Sequence, residues 1–368
     1  MKNGKELFLY NRSILDAEAY KKLLEIENSW IDEVFDSIQS KTKIIKSRAE
    51  FKEAFNNLLL EERNASPDDY DYISTQISLK EFQVIVQEFA IDGLTEAQSF
   101  LSIISRLPLT AQMPMLRVLI DEFGCGNYEY SHSHLYDKLL CELGMPTSIE
   151  NYLDILNPES YAFLNIFYWL TMRAPYVEYF LGALAYLESM IPFTFKCFAD
   201  ACQRLNITNS KYYTEHIHID NFHAKDMLRT LWEVESAVGL DYTKVWTGIQ
   251  IASLIIAQAF DAALKKAKTE IIETTEINKR NHSSTSEFIS ANVDNYCEYF
   301  PIDLKDKKYL LPKKCPHREG RMYCGSINEN SGTIICPLHF SKFDIATGQV
   351  LSGPTSEHLD IIEVSSQV

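Results

Sequence analysis

Two short segments near the C-terminus each pair a cysteine with a histidine: Cys315-Pro-His317 and, after 18 intervening residues, Cys336-Pro-Leu-His339. Two thiolates and two imidazoles brought together can hold a tetrahedral zinc ion, or a 2Fe-2S cluster with cysteines on one iron and histidines on the other. Finger-type zinc sites pair Cys with Cys and His with His on separate arms, whereas here each arm gives one of each. The spacing therefore favours the cluster, with a structural zinc knuckle as the alternative. Either ion needs two facing loops on a small scaffold. The surrounding text suits one: β-prone runs at 309–311, 333–336 and 359–364, separated by turn material at 328–332 and 346–349.

The strings KKCPHREGRM and TIICPLHFSKFDIATGQVLSGP resemble the Rieske family, whose pattern is C-x-H and, some 15 to 20 residues on, C-x-x-H. The resemblance covers about residues 290–368. It implies Cys315 and Cys336 on one iron and His317 and His339 on the other. The respiratory branch of that family carries a disulfide-forming cysteine in each loop. Gly320 and Leu338 stand there instead, so the segment resembles the ferredoxin and oxygenase branch. Cys324 is then expected to be an ordinary thiol.

From about residue 10 to 268 the texture is helical, with apolar residues three and four apart, as in Phe51, Phe55, Leu58 and Leu59. The segment from Ala267 to Phe288 turns polar and Thr/Ser-rich. The expectation is a multi-domain α plus β chain: N-terminal accessory helices at 1–74, an all-α bundle at 75–268, a linker at 269–287 and a small all-β domain at 288–368. Residues 10–70 read as two or three amphipathic helices, which either pack onto the bundle or form a homodimer. The stretch Val245 to Leu264 is as long as a membrane span. It contains Gln250, Gln258 and Asp261, so a buried core helix is expected and no membrane partner. With 35 Lys+Arg against 51 Asp+Glu the net charge is −16, which disfavours nucleic acid as a partner because phosphate backbones are bound through basic residues. The start of the chain has no export signal, so a reducing cytoplasm is expected, with cysteines free or on metal.

The histidines of the helical half are clustered. In YYTEHIHIDNFHAKDML, His216, Asp220 and His223 stand at i, i+4 and i+7, within about 60° of one another on one helix face, while His218 points away. Such a face is either a polar surface stripe or a metal site. Glu188 in FLGALAYLESMIPF, Glu96 in LTEAQSFLSIISRLP and Glu122 in MLRVLIDEFGCGN sit in apolar helical text, where an unpartnered carboxylate is costly to bury. Carboxylates and histidines projecting inward from several helices are how di-iron sites are built.

Asp121-Glu122-Phe-Gly-Cys-Gly followed by His132, GALAYLE ending at Glu188, and the His216, Asp220, His223 triplet resemble the heme-oxygenase-like di-iron oxidases and oxygenases, over roughly residues 75–265. The resemblance implies two non-heme irons. Glu122, His132, Glu188 and His216 are expected on one, Glu96, Asp220 and His223 on the other, with Glu122 as the bridge. Glu129 is an alternative to Glu122, and Glu96 is placed by spacing alone. His134 is expected in solvent or behind the ligands. Heme oxygenases and thiaminases share the bundle without this site, so the fold alone does not license iron.

Together the two resemblances imply an O2-dependent oxidoreductase acting on a small molecule, with the tethered cluster passing on electrons from an external reductase or ferredoxin. The outcomes implied are amine N-oxygenation or a related oxidation, or oxidative C–C cleavage, in natural-product metabolism. Arg117 and Arg173 are either surface residues or partners for a substrate carboxylate. A reading from another class makes the chain an electron-transfer or redox-sensing protein whose helical half docks or dimerises. A third consumes a tyrosine or lysine of the chain itself.

Overall fold

The computed structural model describes residues 3–65, 67–269, 299–305, 307–329, 331–355 and 357–364. Beyond its first residue the expected linker lies outside the described residues, as does the Cys324 side chain. The chain divides into two units, one of Met1–Phe123 with His132–Thr274, the other of Gly124–Ser131 with Thr275–Val368.

The first unit is helical: α1 (Gly4–Asn11), α2 (Ala17–Ile38), α3 (Arg48–Ala65), α4 (Pro67–Thr75), α5 (Leu79–Glu88), α6 (Ala90–Thr95), α7 (Leu109–Glu122), α8 (His132–Glu142), α9 (Pro158–Met172), α10 (Val177–Arg204), α11 (Lys211–Val238) and α12 (Tyr242–Thr269). Local signals set several ends. The Asp16 carboxylate accepts the N–H of Ala19 at the start of α2, and Ser78 with Glu81 forms a capping box on α5. Helix α11 stops at Gly239, whose φ of 83° only glycine adopts without strain. Helix α9 is apolar nearly all round and is buried from Ser160 to Thr171, as a central helix must be. Helices α1 to α4 belong to this same unit, with α1 against α9 and α4 against α10.

Helices α10 and α12 cross at two glycines. A Cβ on Gly182 would lie 1.9 Å from the carbonyl oxygen of Val245, and one on Gly248 would lie 2.0 Å from that of Tyr179. Helix α12 is long and apolar enough to cross a membrane by length and composition, and half of its most apolar stretch is buried inside the helical unit. Two ion pairs on buried carboxylates tie distant helices together: Arg173 to Glu27, and Arg117 to Asp226 at 2.7 Å.

Between α6 and α7 runs a 3₁₀ segment, Glu96–Arg106, entered through Glu96 at φ 38°. The expectation of a long apolar α-helix through Glu96 is corrected here. The positive φ breaks the α-helix, and i to i+3 bonding carries the chain on to α7.

The second unit is β: strands β1 (Tyr299–Leu304), β2 (Lys307–Pro312), β3 (Ser326–Asn328), β4 (Thr333–Ile335), β5 (Lys342–Asp344), β6 (Val350–Ser352) and β7 (Ile362–Val364). They form two antiparallel sheets, ordered β1-β2-β7 and β3-β4-β5-β6. Leu311, Met322, Ile334, Phe343 and Ile345 fill the space between them. The loops after β2 and β4 close in the same way. Cys315 N–H donates to Gly320 O and Cys336 N–H to Ser341 O, both at 2.8 Å, and the fourth residue after each cysteine has positive φ, Glu319 at 54° and Phe340 at 57°. In the same unit Cys125 Sγ donates to Leu338 O at 2.8 Å.

Candidate metal centres

Helix α11 turns His216, Asp220 and His223 to its buried side, at 2 %, 0 % and 0 % exposure, while His218 is half-buried beside Phe222. Helix α7 ends on buried Glu122, α8 begins on buried His132, and α10 brings Glu188. The turn at Glu96 places its carboxylate 3.3 Å from His216 Nε2. His132 Nδ1 lies 2.7 Å from Glu122 Oε2 and 3.1 Å from His216 Nε2. His223 Nδ1 lies 3.2 Å from Glu188 Oε2, 3.2 Å from Asp220 Oδ1 and 3.3 Å from Glu122 Oε1.

Two groups result whose ligand atoms lie within 4.8 Å of one another: Glu96, Glu122, His132 and His216, and Glu122, Asp220 and His223. Glu122 belongs to both. The sorting differs from the one expected, since Glu96 stands with His132 and His216, and Glu188 with His223. Which carboxylate faces which imidazole depends on the turn at Glu96, which helical spacing does not encode. Glu129 is exposed in a short turn, and Glu122 occupies the place for which both were candidates. His134 is half-buried, 3.6 Å from Asp137.

The residues fit a pair of divalent cations. Glu122 Oε2 and both oxygens of Asp220 are buried with no well-formed hydrogen bond, close only to imidazole nitrogens, a costly state that a bound cation relieves. Four carboxylates (Glu96, Glu122, Glu188, Asp220) with three neutral imidazoles carry the charge that two ferrous ions would cancel. Without metal the site holds protons instead. Burial pushes His216 down, but Glu96, Asp220 and Glu122 outweigh it and lift it to about 10. Burial, then Asp220, raises Glu188 to about 7. Burial works against ionised Glu122, yet the three imidazoles hold it down at about 2.

Residues behind the ligands fix which nitrogen faces inward. His216 Nδ1 donates to the carbonyl of Tyr212 at 2.7 Å, leaving Nε2 for metal. The Tyr212 hydroxyl in turn donates to Glu96 at 3.2 Å. His223 Nε2 donates to buried Asp121 at 3.2 Å, leaving Nδ1. The roles of Asp121 and Tyr212 were not read from sequence. Tyr212 had a signal, standing one helical turn before His216, whereas that of Asp121 depends on how α7 meets α11. Arg117 and Arg173 do not reach this site: each is committed to a buried carboxylate.

In the β unit Cys315 and Cys336 are buried, and His317 Nδ1 faces His339 Nδ1 at 3.2 Å. Cys336 is lowered to about 7, chiefly by hydrogen bonding from Cys315 and also by the N–H groups of Leu338 and His339. Those donors suit a cluster's anionic sulfur. A Cβ on Gly320 would lie 2.7 Å from Cys336 Sγ and 2.9 Å from Leu338 Cβ, so the two loops close only with glycine there. Two thiols and two Nδ1 atoms at the tips of matched loops fit a 2Fe-2S cluster with mixed ligands.

Comparison with known proteins finds a family match in each region of the chain. Residues 83–253 match the family described as iron-containing redox enzyme, and residues 294–363 match the Rieske [2Fe-2S] domain. Over 147 residues the chain is 29% identical to nitrosourea synthase of Streptomyces achromogenes subsp. streptozoticus, a stretch that covers 38% of this chain and 30% of that protein. A solved domain of unknown function with a heme oxygenase-like fold from Shewanella denitrificans OS217 covers 61% of this chain and 94% of its own, at 14% identity and a TM-score of 0.47. The chain thus joins a segment similar to iron-containing redox enzymes to a C-terminal segment similar to Rieske domains, which hold a 2Fe-2S cluster.

Proposed function

We propose that the helical region is a non-heme di-iron oxygenase that transfers oxygen to the nitrogen of an amine-bearing small molecule, with electrons drawn from the Rieske cluster. The observation that carries this reading is that two buried carboxylate and imidazole groups share Glu122 and border an apolar cavity of about 340 Å³. Glu96, Glu122, His132 and His216 would hold one iron, and Glu122, Glu188, Asp220 and His223 the other. Two ferrous ions there would supply the reductive activation of O2. Tyr212 and Asp121 orient the imidazoles, and the ring of Phe195, packed on His216, with those of Phe100, Phe163 and Phe167 elsewhere in the wall, makes the cavity apolar. A nitrosourea contains an N–O bond, so the name of the relative favours N-oxygenation over C–C cleavage.

The reaction R–NH2 + O2 + 2 electrons + 2 protons gives R–NHOH + H2O. An external reductase delivers the two electrons singly through the cluster on Cys315, His317, Cys336 and His339, and tethering spares a diffusive encounter at each step. The test is to expose anaerobically reduced holoprotein and a panel of amines to 18O2. A product carrying one 18O is expected. His216→Ala and Glu188→Ala should give none while keeping the Rieske spectrum, and full activity in both variants would refute the site.

A further inference from the structure

The cavity beside the ligands has a chemical bias of its own. Aromatic and aliphatic side chains dominate its wall, among them Tyr70, Phe89, Phe198 and Phe260. Its ionisable lining outside the ligand set is acidic, namely Glu62, Asp261 and Asp92, the last held towards its protonated form by burial, with no lysine or arginine. Away from the metal ligands, a substrate carboxylate would find no counter-charge in that lining.

Glu62 is built into this wall. It lies in the last turn of α3 and is held from two other helices, the hydroxyl of Tyr186 on α10 donating to Oε2 and that of Ser253 on α12 donating to Oε1 at 2.7 Å. Burial and the charge of Glu62 both raise the Tyr186 phenol, so it stays protonated and donates. Each carboxylate oxygen has accepted one hydrogen and can accept another. The neighbouring Arg63 is turned to the backbone oxygen of Ser189 at 2.8 Å, and no basic residue among the described residues pairs with Glu62. On α12, Ser253, Ile256, Ala257, Phe260 and Asp261 follow helical spacing along the same wall, from Glu62 to exposed Asp261. A half-buried carboxylate among aromatic faces, without a cation of its own, is a receptor for one.

We propose that Glu62 is the specificity-determining residue of this cavity, binding the charged nitrogen of an amine or guanidine carried on an apolar chain whose other end reaches the metal ligands. This rests on the reading of the cavity as the oxygenation site. The charged nitrogen at Glu62 is distinct from the one that reacts, since a protonated nitrogen has no lone pair to accept oxygen.

The test is equilibrium binding of n-octylammonium, octanoate and 1-octanol to the full holoprotein under anaerobic conditions. Octylammonium should bind more tightly than octanol, and any octanoate binding at the metal ligands should be unaffected by loss of the Glu62 charge. Glu62→Gln should weaken octylammonium about 10- to 100-fold, the loss expected of one charge-assisted hydrogen bond, and leave octanol unchanged. Octanol binding as tightly as octylammonium to the native protein would overturn the proposal without need of any variant, as would Glu62→Gln binding octylammonium like the native chain. Amine oxygenation that ignores Glu62 would remove the anchor and leave the proposed activity standing. Glu62-dependent ammonium binding without oxygenation of any amine would do the reverse.

Discussion

Glu122 accepts contacts from all three buried imidazoles and is common to both ligand groups, so its loss should empty the whole centre rather than half of it. Glu122→Ala should contain about two irons fewer than the native holoprotein while keeping the Rieske spectrum; native iron content would contradict the bridging role. Asp121 acts one bond further out. Asp121→Asn should retain the fold and lower ferrous affinity about 10- to 100-fold, since only the orientation and basicity of His223 change. Protonation gives a third expectation. In the metal-free site His216 keeps its proton up to about pH 10 and Glu188 takes one up near pH 7, so iron must displace protons to bind. Ferrous affinity should therefore fall as pH drops from 8 to 6, and anaerobic titration in buffers of different ionisation enthalpy should register proton release; affinity flat across that range would contradict it. The His216, Asp220, His223 face was legible in the sequence because helical periodicity alone maps those positions onto one side. The places of Glu96 and Glu188 were not, because they depend on one positive φ and on how α10 meets α11. Glu62 gave no signal at all, being an ordinary glutamate in an amphipathic helix until Tyr186 and Ser253 are folded against it.

At the scale of elements, the site depends on how closely α10 and α12 approach, because α10 carries both Tyr186 and Glu188. Gly182 and Gly248 permit that approach, with backbone rather than flexible side chain as the obstacle to a Cβ. Gly182→Ala should destabilise the helical unit by about 1–3 kcal/mol, the usual range for overpacking, seen as a Tm lower by roughly 2–4 °C per kcal/mol. An unchanged Tm would mean that the helices separate freely at this crossing. The helical and β texture of the two regions could be read from apolar spacing, and the turns at 328–332 and 346–349 from their Gly, Asn and Thr content. The 3₁₀ segment after Glu96 could not, since the same apolar text supports i to i+4 bonding equally well and only tertiary packing selects the tighter form. The commitment of Arg173 to Glu27 and of Arg117 to Asp226 was equally hidden, because each pair joins helices far apart in sequence.

For the whole molecule, the proposal makes one domain the store of single electrons and the other the place where two are used. His339→Ala should block repeated turnover yet permit a single turnover after chemical reduction of the bundle irons, read as product per chain in a rapid-mixing experiment. Multiple turnovers in that variant with the physiological reductase would break the link between the domains. The acidic surface implied by a net charge of −16 suits a reductase with a basic docking face, whose association would weaken as salt rises. All of this depends on metal in two places. Iron and acid-labile sulfide should be counted in anaerobically purified protein, with Mössbauer spectra to separate the populations. The account predicts about four irons per chain, two in a cluster with unlike iron sites and two in a carboxylate-rich site. About two irons, all of them in the cluster, would contradict it and leave the helical region without its proposed chemistry.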